Sequence, residues 1–111
     1  MIIALPVLPG KMPVLKELIA SLTGPKRDDF NASGKRHGIH KETWFLHSTR
    51  EGDSILRYAE VDDIDKTFRS FASEADPFDK WMNQQFTRIT GIDFTHPSKV
   101  RLPEQLLSYG Y

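Results

Sequence analysis

Histidine is the residue type in this chain that most readily suggests metal binding or acid–base chemistry. Three of the four histidines, His37, His40 and His47, lie close together in the sequence. On a β-strand His40 and His47 would point to opposite faces, because an odd number of positions separates them. Glu42 could then join only His40, and two ligands do not complete a zinc site. We therefore predict no metal ion at this cluster.

Motifs for nucleophilic catalysis and for phosphate binding are absent from the sequence. The chain has no cysteine and no G-x-S-x-G segment that could present a nucleophilic serine. Its seven glycines are scattered over predicted turns and do not form a phosphate-binding loop. We expect no cofactor on these grounds.

Aromatic residues are more informative, because they are concentrated on a predicted hairpin and on the helical segment after it. Rings at helical spacing usually fill a core, and truncating a buried ring typically costs about 3–5 kcal/mol. A hollow lined by rings and a few polar groups would instead bind a small apolar or aromatic ligand. Both interpretations stay open. The second predicts a ligand pocket lined by Trp44, Tyr58, Arg57, His40, His47, Phe68, Trp81 and Phe86.

The hairpin is predicted from two apolar segments separated by a turn. Ile39–Ser48 and Ser54–Val61 are the strands, and Glu51–Asp53 between them has the residue types of a turn. A half-exposed strand would alternate apolar and polar residues, yet Trp44 points one way and Phe45 the other. This pattern predicts a sheet that is covered on both faces. The alternative is that stray apolar residues lie at exposed edge positions.

The other elements are predicted from apolar spacing and from proline and glycine positions. Pro6 implies that the first strand is paired on one side there, is bulged, or is shorter than its apolar run, and Asp62 is the expected N-cap of the third helix. The order strand, helix, strand, strand, helix, strand predicts an α+β, ferredoxin-like fold with an antiparallel sheet and helices on one face. In chain order these elements are strand Met1–Leu8, helices Pro13–Leu22 and Pro25–Lys35, helices beginning at Asp62 and Pro77, and a short last strand at Gln105–Tyr109.

Length and charge limit the classes of partner. The 111 residues indicate one domain, 1–111, with 95–111 as a tail that adds the last strand. Because the net charge is zero, nucleic acid and anionic membranes are not expected partners. The apolar run Met1–Val7 is shorter than the ~18 residues of a membrane span, and it predicts a strand. The lack of cysteine favours a reducing, cytoplasmic setting.

RNA-recognition modules share the ferredoxin-like plan and are a further alternative. They read bases with aromatic residues in a glycine-containing motif on the third strand. Here that strand, Ser54–Val61, has one aromatic residue and no matching glycine. We therefore do not expect nucleic-acid binding.

Three short motifs resemble a known superfamily, the small dimeric α+β barrel proteins. Pro6–Lys11 (PVLPGK) is similar to the entry into their first helix, and Glu42–Leu46 and Asp76–Asp79 resemble one branch of no assigned activity. The resemblance covers roughly residues 2 to 94, and the superfamily also contains antibiotic-biosynthesis monooxygenases and stress-responsive barrel proteins. It implies a homodimer with two sheets packed face to face, burying roughly 2,000 Å² or more.

The resemblance also implies an alternative function, a cofactor-free monooxygenase acting on a phenolic or polycyclic substrate. Such chemistry needs a base and a group that stabilises the substrate anion, roles for which His40 or His47 and Arg57 are candidates. Haem degradation is not expected, because the first strand lacks the asparagine of that branch. A purely structural role with a filled core remains a third possibility.

Overall fold

The structure, a computed structural model that describes residues 1–111, combines one antiparallel sheet with four α-helices. The predicted α+β class is therefore confirmed. The elements are β1 Ile2–Pro6, α1 Met12–Leu22, α2 Arg27–Arg36, β2 Ile39–Thr49, β3 Gly52–Val61, α3 Ile64–Ser70, α4 Pro77–Thr90 and a 3₁₀ turn at Pro97–Lys99. None of these helices has both the length and the hydrophobicity that a membrane crossing requires.

The sheet has three strands in the order β1-β3-β2, all antiparallel. The predicted hairpin is confirmed, with Thr49 of β2 opposite Gly52 of β3. The sequence prediction of a last strand at Gln105–Tyr109 differs from the structure, because residues 100–111 contain neither helix nor strand. A strand needs a neighbour for its hydrogen bonds, and the backbone of this tail makes none to the sheet.

Local signals explain how α3 and α4 begin and end. Asp76 caps α4 by accepting a hydrogen bond from the Phe78 backbone N–H, and Pro77 occupies the first turn. Gly91 ends α4 with φ of 74°, a conformation that glycine adopts without strain. The cap of α3 is Asp63 and not Asp62 as predicted. Asp63 has the extended backbone that lets its side chain accept the Lys66 N–H.

The core lies between the sheet and the helices. On this face β1 contributes Ile3 and Leu5, and β3 contributes Ile55 and Ala59, all of them buried. The buried helical residues that pack there include Leu15, Leu18, Leu22, Met82, Phe86 and Ile89. Their spacing in α1 and α4 is that of an amphipathic helix, so apolar burial fixes these helices on one side of the sheet.

The opposite face of the sheet is also apolar, and in the single chain no element covers it. Trp44 is half-buried towards the helices, whereas its neighbour Phe45 points away and is 56% exposed. The strand register places Ile2 beside Tyr58, and Ala4 and Phe45 on either side of Leu56. We call these five residues, Ile2, Ala4, Phe45, Leu56 and Tyr58, the open sheet face.

Candidate functional site

A buried ion pair lies at the centre of the helix-covered side of the sheet. Arg57 is on the central strand and is 6% exposed, and its Nε donates a hydrogen bond of 2.9 Å to Glu42 Oε1. Trp44, directly opposite Arg57 in the register, donates from Nε1 to the same oxygen at 2.6 Å. Because strand residues alternate between faces, Glu42 and Trp44 share the face of Arg57. One carboxylate therefore holds both a guanidinium and an indole in place.

Aromatic rings enclose the rest of the Arg57 guanidinium. Its Cζ lies 5.2 Å from the centre of the Trp44 ring, 5.1 Å from that of Phe71 and 5.7 Å from that of Phe86. A cation over an aromatic face is attracted by the ring quadrupole, by about 2 kcal/mol when it is desolvated. The rings thus offset part of the cost of burying this charge.

A second polar cluster joins α2 to α4 across the same interior. Asp79 of α4 accepts hydrogen bonds from Ser33 Oγ at 2.5 Å and from Arg36 Nε and Nη2 at 3.1 and 2.9 Å. Burial by itself would raise the pKa of the Asp79 carboxyl. The hydrogen bonds from Arg36 and Ser33 outweigh it, so the pKa is lowered. Asp79 is therefore ionised, and it connects the two helices.

His37 lies between the two clusters and is largely buried. Its Nδ1 is 3.4 Å from Ser33 Oγ, its Nε2 is 3.8 Å from Asp79 Oδ2, and its ring meets Phe71 edge-on. Burial lowers the pKa of His37; the charge of Asp79 opposes this, whereas the positive charge of Arg57 adds to it. The imidazole is therefore uncharged at neutral pH, and it can accept a proton.

Ser33, His37 and Asp79 do not have the geometry of a catalytic triad. In a triad the serine hydroxyl donates to histidine, and the carboxylate orients the histidine. Here the hydroxyl of Ser33 donates directly to Asp79. The arrangement supports helix packing, and it does not activate Ser33 as a nucleophile. No three histidine or carboxylate side chains converge as ligands for a metal ion.

Between the clusters lies a cavity of about 20 Å³, bordered by Arg57, His37, Asp79 and Asn83. A water molecule needs roughly 10–15 Å³ when the volume is measured by its centre, so there is room for one or two waters. Small-molecule pockets typically measure about 300–1,000 Å³. The space between the sheet and α4 is thus mostly filled by side chains. Arg57 hydrogen-bonds to protein through Nε alone, and its side chain borders this cavity.

Four of the eight predicted pocket residues meet in this region. Trp44, Arg57 and Phe86 surround the ion pair, and the Phe68 ring lies one layer further, 6.2 Å from that of Phe71. Alternation along the strands brings Trp44 and Arg57 to this side of the sheet, and helical spacing on α4 brings Phe86 there. Ligand binding by these residues remains a prediction.

The structure places the other four elsewhere. Tyr58 and His47 project from the opposite side of the sheet, because they differ by an odd number of positions from Arg57 and Trp44 respectively. His40 lies at a β-bulge, exposed, with Nε2 2.8 Å from Asp62. Trp81 packs on Phe78 under the Lys26 ammonium group, on the side of α4 that faces α1.

The polar residues of α2 were not predicted as site residues. Ser33, Arg36 and His37 follow the i, i+3, i+4 spacing of one helix face, which was the available signal. Phe30 is the only large apolar residue on that helix, so its buried side had to be partly polar. Asp79 lies 46 residues from Ser33, and a pairing over that separation leaves no local pattern.

A second concavity, the Trp44 groove, lies between α1 and the free edge of β2. Its volume is about 280 Å³, close to the lower limit of small-molecule pockets. Lys16 is its only charged lining residue. The others are Met12, Leu15, Ile19, Trp44, Phe45, Leu46 and Ile55. Leu46 is 52% exposed, so this apolar surface is open to solvent.

Comparison of the chain with models of known protein families, with curated proteins and with solved structures gives no match. The resemblance to the dimeric α+β barrel superfamily therefore stays a prediction. The candidate sites rest on geometry alone.

Proposed function

We propose that the protein is a homodimer of ferredoxin-like domains that binds a small apolar or aromatic ligand in the Trp44 groove. The observation that carries the ligand is the groove itself, because it combines about 280 Å³ with an almost entirely apolar lining. The cavity beside Arg57 is too small for such a ligand. The Arg57–Glu42 pair instead holds the Trp44 indole that forms one wall of the groove.

The strand order and the position of the helices support the ferredoxin-like plan. In that plan a fourth strand lies beside β1, and the order β1-β3-β2 is what remains without it. The open sheet face supports the dimer, because Phe45, Ile2 and Tyr58 are large apolar residues exposed on one surface. Packing against the same face of a second copy would remove them from water.

A fluorescence titration tests the ligand. The probe is 1-anilinonaphthalene-8-sulfonate, which joins fused and single aromatic rings to one negative charge that Lys16 can meet. The Trp81→Phe variant leaves Trp44 as the only tryptophan. Saturable binding should quench Trp44 by energy transfer to the probe.

Matched substitutions of exposed apolar residues locate the binding. Leu46→Glu puts a charge in the groove, whereas Ile64→Glu puts the same charge on a similarly exposed residue that is outside it. We expect at least a tenfold weaker affinity for the first variant and little change for the second. Equal affinities in the two variants would reject the groove as the site.

A second candidate function, the cofactor-free monooxygenase, is supported by one observation. His37 is uncharged and faces the buried Arg57 across a cavity of about 20 Å³, which admits a phenol only if the side chains around it move apart. A base and a cation are the groups that deprotonation of a phenol requires. Oxygen uptake with a reduced polyphenol, lost in His37→Gln, is the expected result for an enzyme. No uptake by the unaltered chain counts against this function.

A further inference from the structure

The last nine residues of the chain expose more large apolar side chains than any other segment. Pro103–Tyr111 forms no helix or strand. Four large residues are largely outside the fold: Leu106 is 89% exposed, Leu107 79%, Tyr109 70%, and Tyr111 fully. Single exposed apolar residues are common, but such a group marks an interaction segment.

The outer edge of β1 is the matching free edge of the sheet. β1 pairs only with β3, and the backbone groups of Met1 and Val7 make hydrogen bonds in that direction. Because backbone groups alternate along a strand, the N–H and C=O groups of Ile2 and Ala4 point to the free side. Such an edge is a template for another strand. Pro6 has no N–H, so it limits the template at the other end.

The tail does not pair with this edge in its own chain. α4 ends beside the end of β1, where the Leu8 N–H donates to the Ile89 carbonyl at 2.8 Å. A fourth strand of the same chain would have to begin close to that point. The chain instead buries Phe94 among Phe86 and the other core rings, and Val100 packs against the core further on.

The area of the open sheet face also indicates that a dimer needs more surface. The longer strands have 10 and 11 residues. At about 3.4 Å per residue and about 4.8 Å between strands, these two strands and the five-residue β1 present on the order of 400 Å². A standard interface buries about 800 Å² on each partner. The apolar residues of the tail are the largest exposed reserve that can supply the remainder.

We infer that Gln105–Tyr109 of a second copy of the chain pairs with the free edge of β1 as a fourth strand. In an extended strand Leu107 and Tyr109 share one face, so both can extend the open sheet face. The pairing is reciprocal in a two-fold dimer, and each chain contributes a tail to the other. This inference rests on the proposed homodimer.

Disulfide trapping tests the crossing directly, because the chain has no cysteine of its own. Ala4→Cys protein is mixed with an equal amount of a tail variant of different mass, with cysteine at 105, 106, 107, 108 or 109, and oxidised gently. We expect a mixed disulfide dimer when the tail cysteine is at an odd-numbered position. Its yield should be at least fivefold higher than with cysteine at an even-numbered position. The even positions are the matched controls, since they face the other side of the strand.

The alternative paths of the tail give different results. If the tail returns to its own β1, a chain with both cysteines forms an internal disulfide and the mixture gives no crosslink, which overturns the inference. Equal crosslinking at odd and even positions, or none at any position, also overturns it.

Sedimentation separates this inference from the proposed dimer. The full chain should sediment at twice its mass, and a chain ending at Pro103 should dissociate at least tenfold more readily. A truncated chain that dimerises as well as the full chain overturns the crossing and leaves the proposed dimer standing. A full chain that is monomeric at micromolar concentration overturns both.

Discussion

On the helix-covered side of the sheet lies a charged pair, the buried Arg57 and the largely buried Glu42, whereas the open sheet face carries Phe45 and Tyr58 in contact with solvent. Residue type alone would place these two groups the other way round. The charges are inside because hydrogen bonds and rings satisfy them. The apolar residues are outside because no element of the single chain packs on this face. In these two regions the available packing and hydrogen-bond partners, and not residue type alone, decide which side chains are buried.

The largest predicted effect comes from breaking the buried pair. Glu42→Ala should lower the free energy of unfolding by about 3–5 kcal/mol, because Arg57 is then left buried without its carboxylate. Urea denaturation followed by circular dichroism measures the loss.

The control for this prediction is the double variant Glu42→Gln, Arg57→Met. It removes both charges, so it should be more stable than Glu42→Ala. If the two variants are equally unstable, the loss comes from packing around Trp44 and not from an unpaired charge.

The faces of the hairpin could be predicted from sequence, because the signal is local. Trp44 and Phe45 are adjacent, and strand geometry puts neighbours on opposite sides whatever the rest of the fold does. The same rule separates Tyr58 from Arg57, so a pocket that contains both adjacent residues could not form on one face. The β-bulge at His40 has no comparably simple sequence signal.

The polar interior could be predicted only in part. Asp76 and Gly91 mark the ends of α4 through backbone preferences that act within a few residues. The pairing of Asp79 with Ser33 and Arg36 depends on how α2 and α4 are placed by the whole core. Long-range polar pairs of this kind have no sequence periodicity. The tail is similar, since its strand prediction depended on pairing with a distant edge of the sheet, which no local pattern specifies.

A smaller effect is expected at the Asp79 cluster. Asp79→Asn removes the charge that Arg36 pairs with, and hydrogen bonds to charged groups contribute about 1.5–3 kcal/mol each. We expect a loss of stability towards the lower end of that range, because Arg36 is partly exposed and solvent screens the pair.

The pH dependence of this variant provides a second readout. The folded pKa of Asp79 is lowered, so its stabilisation is present above the unfolded pKa and is lost as the pH falls through the folded value. Below about pH 4 the free energy of unfolding of Asp79→Asn should therefore fall less steeply with decreasing pH than that of the unaltered protein. Identical acid transitions in the two proteins would contradict the lowered folded pKa of Asp79.

Substitution on the open sheet face should have little effect on the isolated chain. Phe45→Ser removes a ring that is 56% exposed, so the free energy of unfolding at low concentration should change by less than about 1 kcal/mol. The proposed dimer should respond more, and its dissociation constant measured by sedimentation should rise at least tenfold. An equal dissociation constant would show that this face is not the interface.

The smallest effect is expected from His37, and it should be visible only as a pH dependence. Burial lowers its folded pKa below the ordinary 6.5, so the unfolded chain binds the proton more readily. Stability should therefore fall as the pH drops below 6.5, and should be regained on return to pH 7. His37→Gln cannot titrate, and its stability should vary less between pH 7 and pH 5. The matched variant His40→Gln makes the same substitution at an exposed position and controls for the change of residue itself. If His37→Gln keeps the full dependence of the unaltered protein, the buried cluster does not respond to pH in this range.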